Sequence, residues 1–198
     1  MEMSYNFTKV IFSFLTIIAL AQSAPTPSPP QASNTNTNTN YIRNKCRTAT
    51  YSKLCYQTLY PYASFVQTSN LNLCNAAVTV AIQGVRSANK TIFNFANQKG
   101  LSKMDMAALR DCKSDMRDAV SELKKTNSAL KRLKGRDRQF QWANAKTYGS
   151  AAESDIESCR DGFAEKKKIS AVGLNIRSSL LLVEQRISNA LYLINHLY

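Results

Sequence analysis

An all-α fold, an antiparallel up-and-down four-helix bundle preceded by an N-terminal helical hairpin and held by two disulfides, is predicted by three observations. Four successive stretches beyond Leu71 repeat small or apolar residues at three- and four-residue spacing, the period of a helix that buries one stripe. No proline follows Pro61, so nothing of that kind interrupts them. Cys112 and Cys159 are equidistant from a glycine turn between two of the stretches, which is where an antiparallel pair of helices would bring them together.

The chain opens with Lys9 and an apolar run from Val10 to Ala21 that ends on Ala19-Leu20-Ala21. Small residues at that place suit a signal peptidase, and the run falls short of the roughly 20 apolar residues needed to cross a bilayer. Residues 1–21 are therefore expected to be a signal peptide, with the cut as late as residue 24, and the protein to be secreted. Residues 22–40 hold four of the five prolines and then alternate Asn with Thr. Such a composition buries no apolar surface and is expected to form a disordered spacer. From Tyr41 to Gln67, Tyr, Ile, Leu and Cys recur with Pro61 as the one breaker, which reads as short helices folded into a hairpin.

The domain is expected to span residues 41–198, with the hairpin at 41–67 and the bundle at 70–198. The first bundle stretch runs Leu71, Cys74, Val78, Ala81, Val85, Ala88, Ile92, Phe95 and ends before Gly100. Ser102, with Asp105 three positions on, makes a capping-box-like start for the second. That stretch continues Leu109, Cys112, Met116, Ala119, Leu123, Thr126, Leu130, Leu133 and is expected to stop at Gly135 in a left-handed conformation. The third runs Trp142, Ala145, Gly149, Ala152, Ile156, Cys159, Phe163, and the fourth Ile176, Leu180, Val183, Ile187, Ala190, Ile194, Leu197. Short connections between long helices favour up-down-up-down packing.

The midpoint of positions 112 and 159 falls between Gly135 and Arg136, so Cys112 and Cys159 face each other at one height. Both lie on the apolar stripe, within bridging reach. Cys74 sits opposite about Thr126, roughly 20 Å along the second helix from Cys112, and cannot join them. Cys46 and Cys55 are close in sequence and form the economical local pair. Cys74 is left over. Its core position favours a buried free thiol over the alternative, a bridge to a second chain.

The 26 basic and 13 acidic side chains give a net charge of +13, unchanged by removal of the signal peptide because Glu2 and Lys9 cancel. A secreted protein of that charge should associate with polyanions. Nothing in the sequence supplies a reacting group: the one histidine is His196, three residues from the C-terminus, and no nucleophile elbow, phosphate loop or dinucleotide motif occurs. The cysteines lack metal-ligand spacing, so no metal and no cofactor are expected. Asp111 with Asp115, and Asp118 with Glu122, interleave with Arg110, Lys113 and Arg117 and read as a solvated ion-pair face. The protein is expected to bind another protein, and not to be an enzyme.

Two basic clusters stand out. Lys131, Arg132, Lys134, Arg136 and Arg138 surround the turn between the second and third bundle helices and lead into Phe140, Gln141 and Trp142. Secretion removes the usual nucleic-acid target, leaving a binding tip or a solvated helix end. Lys166 to Lys168 read as helix-end charge at the opposite end. Asn89-Lys90-Thr91 is a glycosylation sequon on the first bundle helix.

Over residues 41–198 the sequence resembles the plant invertase and pectin methylesterase inhibitors. The resemblance rests on Ile42 to Cys46 followed by Tyr51 to Cys55, on Ala108-Leu109-Arg110-Asp111-Cys112, on Cys159-Arg160-Asp161-Gly162-Phe163 and on Ser188-Asn189-Ala190-Leu191. It implies the same hairpin and bundle and the same cysteine pairing. Members that inhibit acid invertase are known for a Pro-Lys-Phe tip between the second and third bundle helices. The corresponding stretch here is Arg136-Asp137-Arg138-Gln139-Phe140, which keeps the Phe and lacks the proline. The resemblance thus implies a pectin methylesterase as partner and the cell wall as the place of action. The exposed faces of the second and third bundle helices would form the interface, with Arg138, Gln139, Phe140 and Gln141 contributing at the tip. Inhibition of acid invertase, and a non-inhibitory wall protein held on acidic pectin by its basic surface, are the alternatives; neither nucleic acid nor membrane is an expected partner.

Overall fold

The computed structural model describes residues 32–163 and 170–198. The expected signal peptide at 1–21, residues 22–31 of the expected spacer and the Lys166 to Lys168 cluster lie outside the described residues. No described residue forms a strand, and no described helix is long and apolar enough to cross a membrane.

The hairpin comprises α1 (Ala32–Cys46), α2 (Ser52–Leu59) and α3 (Ala63–Val66), with a single 3-10 turn at Tyr60–Tyr62 where Pro61 interrupts the backbone. Ile42, Cys46, Cys55, Leu59, Ala63 and Val66 form its buried face. Cys46 and Cys55 are bridged, their Cα atoms 5.6 Å apart. α1 begins at Ala32, just ahead of the Asn/Thr run and inside the segment that composition assigns to a disordered spacer reaching residue 40. The anchored turn at Tyr41 and Ile42 propagates backward at little cost once helix nucleation is complete. Thr39 Oγ1 adds hydrogen bonds to the carbonyls of Thr35 (3.0 Å) and Asn36 (3.1 Å). Thr35, Asn36, Thr37 and Asn40 remain exposed and Asn38 and Thr39 are half-buried, so residues 35–40 add nothing to the core.

The bundle comprises α4 (Asn70–Ala96), α5 (Lys103–Lys131), α6 (Arg138–Asp161) and α7 (Ala171–Asn195). Each helix packs on the next and α7 closes against α4. Three serines start helices by accepting a backbone N–H at the third position on: Ser69 from Asn72, Ser102 from Asp105 and Ser170 from Gly173, each cap typically contributing about 1 kcal/mol. All eight stripe residues expected on α5, from Leu109 to Leu133, are buried, as are all seven on α7. α4 buries a wider face that includes Leu73, Ala76, Ala77, Val80 and Ile82, because the hairpin covers a second side of it. On α6 the inward stripe starts at Gln141 instead of Trp142 and continues through Ala145, Gly149, Ala152, Ile156 and Cys159.

Gly149 marks a close approach of helices. A Cβ there would lie 2.7 Å from Leu191 Cδ2, inside any normal contact. Gly135 departs from expectation: α5 already ends at Lys131, and the glycine with positive φ is Gly100, at 83° in the α4–α5 loop. The α5–α6 turn closes on right-handed bonds, Gly135 N–H to Arg132 O at 3.0 Å among them, and needs no left-handed residue.

Cys112 and Cys159 are bridged across α5 and α6 with Cα atoms 4.4 Å apart. Cys74 is unpaired within the chain and 1 % exposed; burial pushes its thiol pKa up to about 12.

Candidate functional site

The α5–α6 seam carries the sequence-predicted surface, and its two ends are opposite in charge. At the tip, α6 begins at Arg138 directly after the turn, so Arg138, Gln139 and Phe140 are exposed in its first turn. Phe140 is 64 % exposed, a large apolar surface left in water. The Arg138 guanidinium lies over the Tyr198 ring, 5.2 Å from its centroid, which ties the start of α6 to the C-terminal residue. Gln141 is a correction: at 9 % exposure it lies on the inward stripe of α6 and is not displayed at the tip, because one further residue turns the helix by about 100°.

Lys131, Arg132, Lys134 and Arg136 are exposed beside Arg138, and no ion pair engages any of the five among the described residues. Asn70, Leu133 and Tyr198 help to line a cleft of about 600 Å³ against Lys134, Arg136 and Arg138. Trp142 stands behind the tip. Its Nε1–H donates to Ile194 O at 2.8 Å, its ring meets Tyr198 edge-on at 5.9 Å, and Lys146 Nζ lies 3.7 Å from its centroid. Below the tip, Ser121, Lys125, Ser128, Gln141, Asn144 and Tyr148 line a shallow groove of about 300 Å³ along the seam.

Toward the disulfide the seam turns acidic. Asp111, Asp115, Asp118 and Glu122 follow the four-three-four spacing of a single helix stripe, and Asp155 faces them from α6. The expectation of an ion-pair face is corrected here: of these five carboxylates only Glu122 has a salt bridge among the described residues, to Lys125 at 2.6 Å. Arg110, Lys113 and Arg117 occupy a different stripe of α5, so they do not reach the acidic row. Burial raises the pKa of Asp115 and of Asp155, and the neighbouring carboxylates push both further in the same direction; a hydrogen bond with Ser158 partly offsets the rise at Asp115. The four-three-four spacing of acids was the signal in the sequence for this row.

The single histidine stands apart from the seam. His196 lies at the end of α7, its ring 4.3 Å from that of Tyr192 and its Nδ1 2.8 Å from Tyr192 O. No group of three or more His, Cys, Asp or Glu among the described residues is arranged to hold a metal ion. What remains is a stiff, cross-linked, charge-segregated face with one projecting aromatic, which suits docking better than turnover. Asn89 is exposed on α4, outside the α5–α6 seam.

Comparison with known proteins agrees with this architecture. The chain is 29 % identical over 192 residues to the 21 kDa protein of Daucus carota, with 96 % of this chain and 93 % of that one covered. It is 32 % identical to pectinesterase inhibitor 3 of Arabidopsis thaliana over 79 % of this chain and 78 % of the relative, and 32 % identical to pectinesterase inhibitor 11 of the same plant over 78 % and 79 %. A solved structure of a mutant pectin methylesterase inhibitor from Arabidopsis superposes with a TM-score of 0.63 at 14 % identity, covering 79 % of this chain and 97 % of that one, which shows the shared fold. The family model described as plant invertase/pectin methylesterase inhibitor matches residues 40–193, and the chain belongs to that family.

Proposed function

We propose that this chain is a secreted inhibitor of pectin methylesterase that acts in the plant cell wall by laying its α5–α6 face across the enzyme's pectin-binding cleft, one to one and reversibly. The observation that carries the choice of target is the tip: Arg136 to Phe140 presents an exposed aromatic with no proline anywhere after Pro61, unlike the tip of invertase-directed members. The relatives named as pectinesterase inhibitors support the same target. Docking of this kind needs no chemistry from the inhibitor. It needs a surface that loses little conformational freedom on binding, and the Cys112–Cys159 bridge holds the two helices of the face together.

Side-by-side assays decide the target. Purified chain titrated into pectin methylesterase at mildly acidic pH should abolish ester hydrolysis near equimolar ratio and leave sucrose cleavage by acid invertase unchanged. Full ester hydrolysis at every excess would overturn the proposal, and loss of invertase activity would move the target within the family. The unpaired cations at the tip also favour a second reading, a non-inhibitory protein held on acidic pectin. It predicts salt-sensitive retention on pectate with no enzyme complex on gel filtration.

A further inference from the structure

A groove of about 480 Å³ runs between the C-terminal half of α4 and the start of α5, on the seam next to the docking face. Its floor is apolar, built on buried Ile92 and Leu109. Phe93 stands at its edge and is 58 % exposed, although the inward side of α4 is already filled by Ala88 and Ile92. Lys90, Asn94, Asn97 and Lys113 supply a polar rim. Asn89, the acceptor of the Asn89-Lys90-Thr91 sequon, lines the same groove and is exposed.

Asn89 and Phe93 are one helical turn apart, so they share a face. Side chains on a helix lean toward its N-terminus, and the Phe93 ring therefore covers surface over the preceding turn, where Asn89 sits. A sugar joined to Asn89 Nδ2 starts beside that ring, with axial C–H groups to place on its face and hydroxyls to offer to the amides and ammonium groups of the rim. A polypeptide segment would have to satisfy its backbone N–H and C=O groups on this largely apolar floor, whereas a sugar tethered at Asn89 can set its C–H face on the floor and turn its hydroxyls and acetamido group to the polar rim.

We infer that Asn89 carries an N-linked glycan whose first N-acetylglucosamine lies in this groove against Phe93, so that the sugar covers an aromatic otherwise left in water. The attachment takes the oligosaccharide from a lipid-linked oligosaccharide diphosphate in the secretory pathway. The Asn89 amide nitrogen bonds to the anomeric carbon and loses a proton, while the bond from that carbon to the diphosphate breaks and the lipid diphosphate leaves. The inference rests on the secretory reading of the N-terminus but not on the identity of the inhibited enzyme, since the groove lies on the α4–α5 seam and inhibition is read separately.

The test is a coupling measurement on the full chain expressed in a glycosylating plant-cell host. Peptide mass spectrometry should find a glycan on Asn89, and none in Thr91→Ala, which keeps Asn89 but destroys the sequon. Phe93→Ser should lower the melting temperature of the glycosylated chain by about 2–4 °C, the size expected for one aromatic contact in a chain of this length. The same change in the Thr91→Ala background should leave the melting temperature where it was, or raise it. Phe93→Tyr, which keeps the ring, should retain the difference between backgrounds. An unmodified Asn89 in the chain recovered from that host overturns the inference. So does a Phe93→Ser shift of equal size with and without the glycan.

Discussion

The Cα atoms of Cys112 and Cys159 lie 4.4 Å apart, bridging α5 and α6 at one height, equidistant from the turn at Gly135. The bridge closes 47 residues, which on the chain-entropy estimate stabilises the fold by about 4 kcal/mol, chiefly by restricting the unfolded chain. Cys112→Ser with Cys159→Ser should therefore lower the thermal midpoint by roughly 10 °C while keeping the helical circular-dichroism spectrum below it. Inhibition measured well below the new midpoint should persist, since neither sulfur is exposed. Loss of inhibition in a variant still folded would show that the bridge sets the geometry of the docking face as well as its stability.

With Cys46 and Cys55 bridged as well, four of the five cysteines are consumed, and the fifth is shielded. Cys74 belongs to the buried core, and a thiol with its pKa pushed up to about 12 stays protonated at neutral pH. A thiol reagent at about pH 8 should find almost no reactive group in the native, non-reduced chain and one per chain after unfolding in denaturant. A chain that migrates as a dimer until reduced would place Cys74 in an intermolecular bridge instead.

Why the bundle was so legible, and the docking surface less so, follows from what each kind of residue responds to. Leu109, Cys112, Met116 and Ala119 recur at helical spacing because one core selects them all, and a repeated constraint leaves a repeated pattern. Trp142 breaks that pattern by being half-buried for its hydrogen bond to Ile194 O, so counting it as core misplaced the first member of an otherwise correct stripe and hid the burial of Gln141. Charged residues follow no such core constraint. Asp115 and Asp155 approach across two helices, and their meeting depends on helix rotation that apolar spacing within either helix does not resolve. The onset of α1 at Ala32 was equally hidden, because a polar helix extended from an anchored turn has no compositional mark.

The carboxylates now predict a pH dependence. Asp115, Glu153, Asp155 and Glu184 all have raised pKa values, burial being the largest cause at each. A carboxyl that holds its proton more tightly folded than unfolded gives stability that is present below the ordinary carboxylate range and lost as pH rises through the raised value. These four groups should therefore lower the thermal midpoint as pH rises from the ordinary carboxylate range toward neutrality. Asp155→Asn should raise the midpoint at neutral pH and flatten its dependence on pH, since Asp155 Oδ2 is buried without a partner. A midpoint that climbs steadily from pH 5 to pH 7 would contradict this sign.

Phe140 separates docking from folding most cleanly. At 64 % exposure it contributes little to the core, so Phe140→Ala should change stability by no more than about 0.5 kcal/mol. An aromatic that becomes buried at an interface commonly carries more than 1.4 kcal/mol of the binding energy, a tenfold change in the dissociation constant. Phe140→Ala should accordingly weaken inhibition of pectin methylesterase by about tenfold or more with the melting temperature unchanged. Phe65→Ala, at another exposed aromatic (52 %) on α3 of the hairpin, should leave inhibition intact and serves as the control. Equal inhibition by both variants would remove the tip from the interface and confine contact to the flank of α5 and α6. The charge-segregated seam would then be the surface to probe next, by reversing Asp118 and Lys125 singly and in combination.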